Sequence, residues 1–160
     1  MGFKAKVVFV FGVTTVLIGS SIFYFFGLIV NTTRSMPLGI YQIQKDTNIS
    51  KGDLVLFEIE GKKERLIKRA VATGGDIVFI NKTGIFVNGT LLENSKIFQF
   101  DSKGRALNMY PINRALNQDE IFTKGDHIQI YDSRYFGAVN LIENKVIKIK
   151  KLFIWSEYNG

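Results

Sequence analysis

One uninterrupted apolar segment limits what this chain can fold into. The 24 residues from Val7 to Val30 carry no charged side chain. This run exceeds the roughly 20 residues that an α-helix needs to cross the hydrocarbon layer of a bilayer. It is also longer than the apolar region of about 7–15 residues in a cleavable signal peptide, and no Ala-x-Ala-like site follows it. The segment therefore predicts an uncleaved membrane anchor, with a removed signal peptide or a buried helix as alternatives.

The charges that flank the apolar segment predict its orientation. Lys4 and Lys6 precede it together with the amino terminus, whereas Arg34 alone lies just beyond its far end. Lys and Arg near the ends of a span are in excess on the cytoplasmic side. We therefore expect the amino terminus in the cytoplasm and the rest of the chain on the extracytoplasmic side.

Composition excludes several classes of site and partner. The 160-residue chain contains no cysteine, which excludes disulfides, thiolate catalysis and cysteine-ligated zinc. Its net charge of +7, next to a membrane anchor, favours contact with anionic lipid headgroups. The basic residues are spread along the chain and not clustered with aromatic residues, so nucleic acid is not an expected partner.

The chain after the anchor reads as short strands with period-two hydrophobicity, separated by Gly, Asn, Asp and Lys. Predicted strands cover residues 53–59, 65–71, 77–80, 84–87, 127–131 and 145–155. Lysines on one side of the last strand are typical of a sheet edge. We therefore predict an all-β, mainly antiparallel extracytoplasmic domain over residues 31–160, on one N-terminal transmembrane helix within residues 1–30. The polar stretch 94–120 is predicted to be an inserted loop region, where substrate choice often resides.

Ser35 is a candidate nucleophile because it lies five residues beyond the apolar run, beside a turn formed by Pro37 and Gly39. A serine that attacks an amide needs a group that takes its proton. The chain has a single histidine, His127, and a Ser35–His127–Asp132 triad is conceivable by residue type. The alternative base is a lysine that burial keeps neutral.

Lys68 best meets the requirement for a buried lysine. It stands in the predicted strand 65–71, and a period of two places it on the same face as Leu66 and Ala70. Arg69 then points to the opposite face. An ordinary solvent-exposed strand lysine is the alternative interpretation.

Four short sequences, in this order, resemble the motifs of the type I signal peptidase family. They are Ser35-Met-Pro37, Lys68-Arg-Ala-Val-Ala-Thr-Gly-Gly-Asp76, Val87-Asn-Gly89 and Asp132-Ser-Arg-Tyr-Phe-Gly137. Each motif alone is weak, but the ordered set covers most of the chain from residue 31 onward. Gly39 and Tyr41 close behind the serine are more similar to the conjugative-transfer (TraF-type) branch, whose members mature pilin precursors for type IV secretion.

The resemblance implies a role for five residues. Ser35 would be the nucleophile and Lys68 the general base of a serine–lysine dyad. The backbone N–H of Ser35 and the hydroxyl of Thr33 would form the oxyanion hole. Asp132 and Arg134 would support the geometry of the site.

The chain departs from the family pattern at two positions. Gly74 stands where the family usually has proline before the Gly-Asp of the lysine motif. Ile130 replaces a serine, two residues before the aspartate, that often hydrogen-bonds the catalytic lysine. Some other feature must then orient Lys68.

The family resemblance also implies a substrate class and a location. Substrates would be exported precursor proteins with small residues at the first and third positions before the cut, and pilin or conjugative-transfer precursors are favoured. Secretion-system proteins are possible partners, and neither a cofactor nor a metal is implied. The protein would lie in the bacterial inner membrane with its catalytic domain in the periplasm. The alternatives are a housekeeping signal peptidase and a non-catalytic, membrane-anchored assembly factor of a secretion system.

Overall fold

The computed structural model describes residues 2–62, 64–101 and 103–157. It begins with helix α1, Phe3–Phe25. The Lys4–Phe25 part of this helix is long and apolar enough to cross a membrane, and none of it is buried against the protein. Because its apolar side chains face outward all round, α1 is a candidate membrane span.

The helix ends before the apolar run does. Gly27 adopts a positive φ of 59°, and Leu28–Asn31 forms strand β1. The sequence-based boundary at residue 30 therefore differs from the structure, in which Leu28, Ile29 and Val30 belong to the sheet. Continuous hydrophobicity hides this change because a lipid-facing helix and a buried strand have the same composition.

The larger sheet has seven strands and is antiparallel throughout. Its remaining strands are β2 Leu38–Ile43, β3 Leu54–Phe57, β4 Leu66–Ala72, β9 Glu120–Lys124, β10 Val139–Asn140 and β11 Ile147–Ser156. The strand order is β1-β2-β11-β3-β4-β9-β10. The last strand was predicted at a sheet edge, but β11 lies between β2 and β3. It can accommodate lysines there because six of its ten residues are exposed and only Ile147, Lys148 and Ile149 pair with β3.

The smaller sheet contains the predicted hairpin. Strand β5 Ile77–Asn81 pairs with β6 Gly84–Val87, and β7 Thr90–Leu91 follows the turn at Asn88 and Gly89. Strand β8 Asn113–Ala115 completes the order β7-β6-β5-β8. The only other helix among the described residues is the short α2, Ser133–Phe136. The predicted antiparallel β domain behind a single N-terminal helix is confirmed.

One predicted strand is wrong. Residues 127–131 alternate in hydrophobicity but form bends, and the strand of this region is β9, which ends at Lys124. The carbonyl groups of Ile128 and Ile130 accept hydrogen bonds from the guanidinium of Arg134. These carbonyls are therefore satisfied by a buried side chain and not by a neighbouring strand.

Strand β4 separates two hydrophobic clusters. Ile67 packs with Met36, Tyr41 and Leu56 on one side. On the other side, Lys68 pairs with Val55, which belongs to a cluster with Phe57, Ile121 and Val139. This arrangement puts a lysine of a central strand into apolar surroundings.

Candidate active site

The loop between β1 and β2 presents Ser35, and Asn31 holds this loop in shape. The side-chain amide of Asn31 donates to the carbonyls of Thr33, Met36 and Pro37 at 3.0–3.1 Å. Its Oδ1 accepts from the backbone N–H of Thr33 at 3.1 Å. Asn31 is only 4% exposed, so one buried side chain bonds three carbonyls and one backbone N–H of the loop.

Tyr41 and Gly39, which distinguish the TraF-type motif, have structural roles on β2. The Tyr41 hydroxyl donates to the carbonyl of Pro37 at 2.6 Å, and burial, the largest cause, raises the pKa of Tyr41 to about 12. A Cβ on Gly39 would collide with the backbone oxygen of Phe153 and lie 2.6 Å from Cδ1 of Ile154. Gly39 therefore allows β2 and β11 to pair closely.

The serine backbone is anchored to the segment that follows β9. The backbone N–H of Asp126 donates to the carbonyl of Ser35 at 3.1 Å. Gly125, immediately before it, is buried, and a Cβ there would lie 3.1 Å from the Ser35 oxygen. Since β9 pairs with β4, the backbone connects the serine loop to the lysine strand.

Thr33 lies next to the candidate nucleophile. Its Oγ1 is 3.4 Å from Oγ of Ser35 and donates to Oδ1 of Asn31 at 2.8 Å. Because the Thr33 proton is given to Asn31, the Ser35 hydroxyl is the donor between the two hydroxyls. The Thr33 hydroxyl would have to release Asn31 before it could donate to another group.

Lys68 is buried, as its sequence pattern predicts. Its exposed fraction is 1%, and desolvation lowers its pKa to about 8. Asp132 opposes this shift, whereas the positive charges of Arg134 and Lys62 reinforce it. Among the described residues, no hydrogen bond or ion pair involves the Lys68 amine. Packing alone therefore holds the amine, which is partly neutral near pH 8.

Ser35 and Lys68 line the same cleft, which has a volume of about 670 Å³. One wall is formed by β1 and the serine loop, and the other by residues 62 and 64–68. Ile130 and Tyr131 also line it. The exposed fraction of Ser35 is 7% and that of Lys68 is 1%, so both candidate catalytic residues are largely shielded from solvent.

Asp132 and Arg134 form an ion pair with no exposed side-chain surface. The guanidinium contacts both carboxylate oxygens at 2.8 and 2.9 Å and reaches the carbonyl of Lys96 at 2.7 Å. The second Asp132 oxygen accepts from the backbone N–H of Gly125 at 3.1 Å. The ion pair thus holds Gly125 in place, next to Asp126, whose backbone N–H binds the Ser35 carbonyl.

Ile130 stands where the family often has a serine that hydrogen-bonds the catalytic lysine. Among the described residues, no other side chain makes that hydrogen bond to the Lys68 amine. Ile130 lies against Gly125 and lines the cleft beside Lys68. Ser133 instead accepts from the backbone N–H of Thr123, and the two hydroxyls lie 2.9 Å apart. Thr123 pairs with Ala70, two residues from Lys68, so Ser133 braces the lysine strand without touching the amine.

The histidine alternative has less support from the geometry. Both oxygens of Asp132 are occupied by Arg134 and Gly125. Nδ1 of His127 accepts a hydrogen bond from the backbone N–H of Gln129 at 3.0 Å. Burial, reinforced by Arg134, lowers the pKa of His127. Asp132 thus binds the loop through Arg134 and Gly125.

Sequence reasoning missed Asn31, Gly125 and Asp126 as parts of the site. Asn31 ends a strand that the apolar run concealed, although Asn just before a Thr-Thr turn is a residue that typically bonds nearby backbone groups. Within residues 2–62, 64–101 and 103–157, no group of three or more His, Asp or Glu side chains is placed to hold a metal ion.

Comparisons with known proteins place these features in a family. The family described as "Signal peptidase, peptidase S26" matches residues 4–155. Two Escherichia coli proteins, both called plasmid transfer protein TraF, are 32% and 31% identical over 151 and 154 residues. These alignments cover 81% and 82% of this chain and 84% and 85% of the relatives.

A solved structure is also similar. The crystal structure of a signal peptidase I from Enterococcus faecalis aligns with a TM-score of 0.43 and 21% identity. The alignment covers 66% of this chain and 98% of that structure.

Proposed function

Because the chain belongs to the signal peptidase (peptidase S26) family, we propose that it is a membrane-anchored serine endopeptidase that removes leader peptides from exported precursors. Ser35 is the nucleophile and Lys68 the general base. The observation that supports the proposal is the shared cleft, whose lining includes both Ser35 and Lys68, a lysine with 1% exposure. A pKa of about 8 leaves a usable fraction of this amine neutral at physiological pH.

The mechanism follows from the chemistry of these two groups. The neutral Lys68 amine takes the proton of Ser35 while Oγ bonds to the scissile carbonyl carbon. The backbone N–H of Ser35 and the Thr33 hydroxyl stabilise the oxyanion. When the carbon–nitrogen bond breaks, Lys68 returns the proton to the leaving amine. A water molecule, deprotonated by Lys68, then hydrolyses the acyl-enzyme and regenerates Ser35.

The sheet offers a docking edge for an extended substrate. Strand β1 is the terminal strand of the larger sheet and pairs with β2 alone. Residues 29–31 of β1 also line the cleft. A precursor segment that adds to this edge gains register through main-chain hydrogen bonds, and small residues at the first and third positions before the cut fit close to the wall.

Conjugative-transfer precursors, pilins above all, are the substrates we favour. Both curated relatives are named plasmid transfer proteins, and Gly39 and Tyr41 of the corresponding motif have defined structural roles. The apolar helix α1 supports a location at the inner membrane, and the flanking charges favour a periplasmic catalytic domain.

Precursor cleavage in cells tests the proposal. The full-length protein is co-expressed with a pilin precursor and, separately, with an ordinary exported precursor, and products are identified by mass spectrometry. We expect Ser35→Ala and Lys68→Ala to abolish cleavage of the pilin precursor while the protein remains in the membrane fraction. Lys150→Ala, at an exposed strand lysine, is the matched control and retains cleavage. Processing that persists in Lys68→Ala would contradict the dyad, and equal processing of both precursors would favour a housekeeping enzyme.

A further inference from the structure

The cleft that contains Ser35 is strongly biased toward positive charge. Its described lining includes one carboxylate, that of Glu64. Six cationic side chains line it: Arg34, Lys62, Arg65, Lys68, Lys103 and Arg105. Over the whole chain the ratio is only 21 basic to 14 acidic residues. The excess is therefore concentrated at the cleft, even when Lys68 is counted as neutral.

Three separate parts of the chain supply these charges. Arg34 comes from the serine loop, directly before the nucleophile. Lys62 and Arg65 come from the segment that leads into β4. Lys103 and Arg105 come from the polar excursion between β7 and β8, the region in which the sequence predicted substrate choice. These cations are distant in sequence and come together only in the fold. They therefore differ from consecutive surface lysines, which are usually just solvated.

Of the five exposed cations in this lining, three have partners within the described part of the chain and two do not. Arg65 approaches Glu58 at 3.5 Å, and Arg105 binds Asp101 at 2.6 Å. The Lys62 amine lies 3.8 Å above the ring of Tyr131. Within the described part of the chain, the side chains of Arg34 and Lys103 enter no hydrogen bond or ion pair. These two exposed cations are available to an incoming ligand.

We infer that the cleft selects precursors carrying aspartate or glutamate beside the scissile bond, with Arg34 and Lys103 as the main specificity determinants. This inference rests on the proposed peptidase function. A cleft lined by charge of one sign concentrates ligands of opposite charge and raises their association rate. An acidic peptide is favoured over lipid headgroups as the ligand because the cations surround the candidate nucleophile on both walls of the cleft.

Matched peptides test the inference with the full-length protein in nanodiscs of neutral phosphatidylcholine. Fluorogenic peptides carry alanine at the first and third positions before the cut, and either Glu or Gln at the adjoining positions. We expect kcat/KM at low salt to be about tenfold higher for the Glu peptide than for the Gln peptide. This ratio should fall toward one at 1 M salt, where the screening length is only about 3 Å.

Variants assign the preference to particular residues. Lys103→Gln and Arg34→Gln should each lower the Glu/Gln ratio about two- to threefold, and Lys103→Glu should lower it further. Lys150→Gln, outside the cleft, is the control and should leave the ratio unchanged. A ratio near one in the wild-type protein would overturn the inference. So would a preference that disappears when anionic lipid is added to the nanodiscs, since the cations would then bind headgroups.

A binding measurement separates failure of this inference from failure of the proposed function. Ser35→Ala removes the nucleophile and retains the cleft cations, so fluorescence anisotropy with this variant reports peptide affinity alone. Tighter binding of the Glu peptide without cleavage by the wild-type protein would overturn the peptidase function and uphold the selectivity. Ser35-dependent cleavage with equal affinities would uphold the function and overturn the selectivity.

Discussion

The backbone N–H of Asp126 donates a hydrogen bond to the carbonyl of Ser35 across 3.1 Å. This contact joins two segments that are about 90 residues apart in the chain. Asp126 follows β9, which pairs with the strand of Lys68, and Gly125 beside it accepts no side chain without collision. Backbone packing thus sets the position of Ser35, the proposed nucleophile, relative to the lysine strand.

Gly125→Ala should damage catalysis without touching a catalytic group. The new Cβ would lie 2.5 Å from Cγ2 of Ile130 and 3.1 Å from the Ser35 carbonyl, so the serine loop must move. We expect kcat/KM to fall about 10²-fold and the free energy of unfolding to fall by about 1–3 kcal/mol. Peptide kinetics and thermal denaturation measure the two effects. The double variant Gly125→Ala/Ile130→Ala removes the closest contact and should recover part of the activity; wild-type kinetics in the single variant would exclude this role of Gly125.

Asn31→Asp should be more disruptive than Asn31→Ala. Aspartate keeps the acceptor for Thr33 but replaces the amide, which donates to three carbonyls, with an oxygen that repels them. Alanine leaves these carbonyls without their donor, which costs about 1–3 kcal/mol per buried unsatisfied group. Denaturant titration should rank stability as wild type, then Ala, then Asp, with activity following the same order. Equal stability of all three proteins would show that Asn31 does not hold the loop.

The pH dependence of cleavage should follow the ionisation of Lys68. Desolvation lowers its pKa to about 8, and only the neutral amine accepts the serine proton. We therefore expect kcat/KM to fall about tenfold per pH unit below pH 8 and to level off above it. Lys62 contributes to the lowered pKa of Lys68, so Lys62→Gln should move the midpoint to higher pH. A flat profile from pH 5 to 9 would argue against a buried base.

Lys68→Met should abolish cleavage and stabilise the fold. The native state lowers the lysine pKa from 10.5 to about 8, so folding disfavours the proton that the unfolded chain retains. This penalty is complete below pH 8, shrinks as the pH rises from 8 to 10.5, and corresponds to about 3 kcal/mol. Thermal melts at pH 7 and pH 10 check the sign, because the advantage of Lys68→Met should be larger at pH 7. A destabilised variant at pH 7 would indicate that the charged amine is well accommodated.

The sequence was informative where short apolar stretches near period two are bounded by Gly, Asn, Asp and Lys. Strands β3 to β6 and β11 were predicted within a few residues. Strand β1 was not predicted because its apolar residues continue those of α1. Strand β2 was not predicted because its first residues belong to the short motif that follows Ser35 and show no clear alternation. The alternation at residues 127–131 was misleading because Arg134, not a neighbouring strand, satisfies the carbonyls there.

The candidate site was predictable only in its residue types. Burial of Lys68 followed from its apolar neighbours on β4, and Ser35 from its place after the apolar run. The hydrogen bonds of Asn31 depend on the path of a six-residue loop, and the cationic cleft depends on where the excursion carrying Lys103 folds back. Neither arrangement has a periodic signature, because the first depends on the conformation of one short loop and the second on contacts between distant segments.

The placement of β11 has a consequence for how this protein matures. Strand β11 is inserted between β2 and β3. These two early strands therefore cannot be joined in the sheet until a segment about 100 residues downstream has been synthesised. Contacts of such sequence separation form slowly because a long loop must close first. The larger sheet therefore cannot be completed before residue 156 has been synthesised, so closure of this long loop should limit the folding rate of the whole domain.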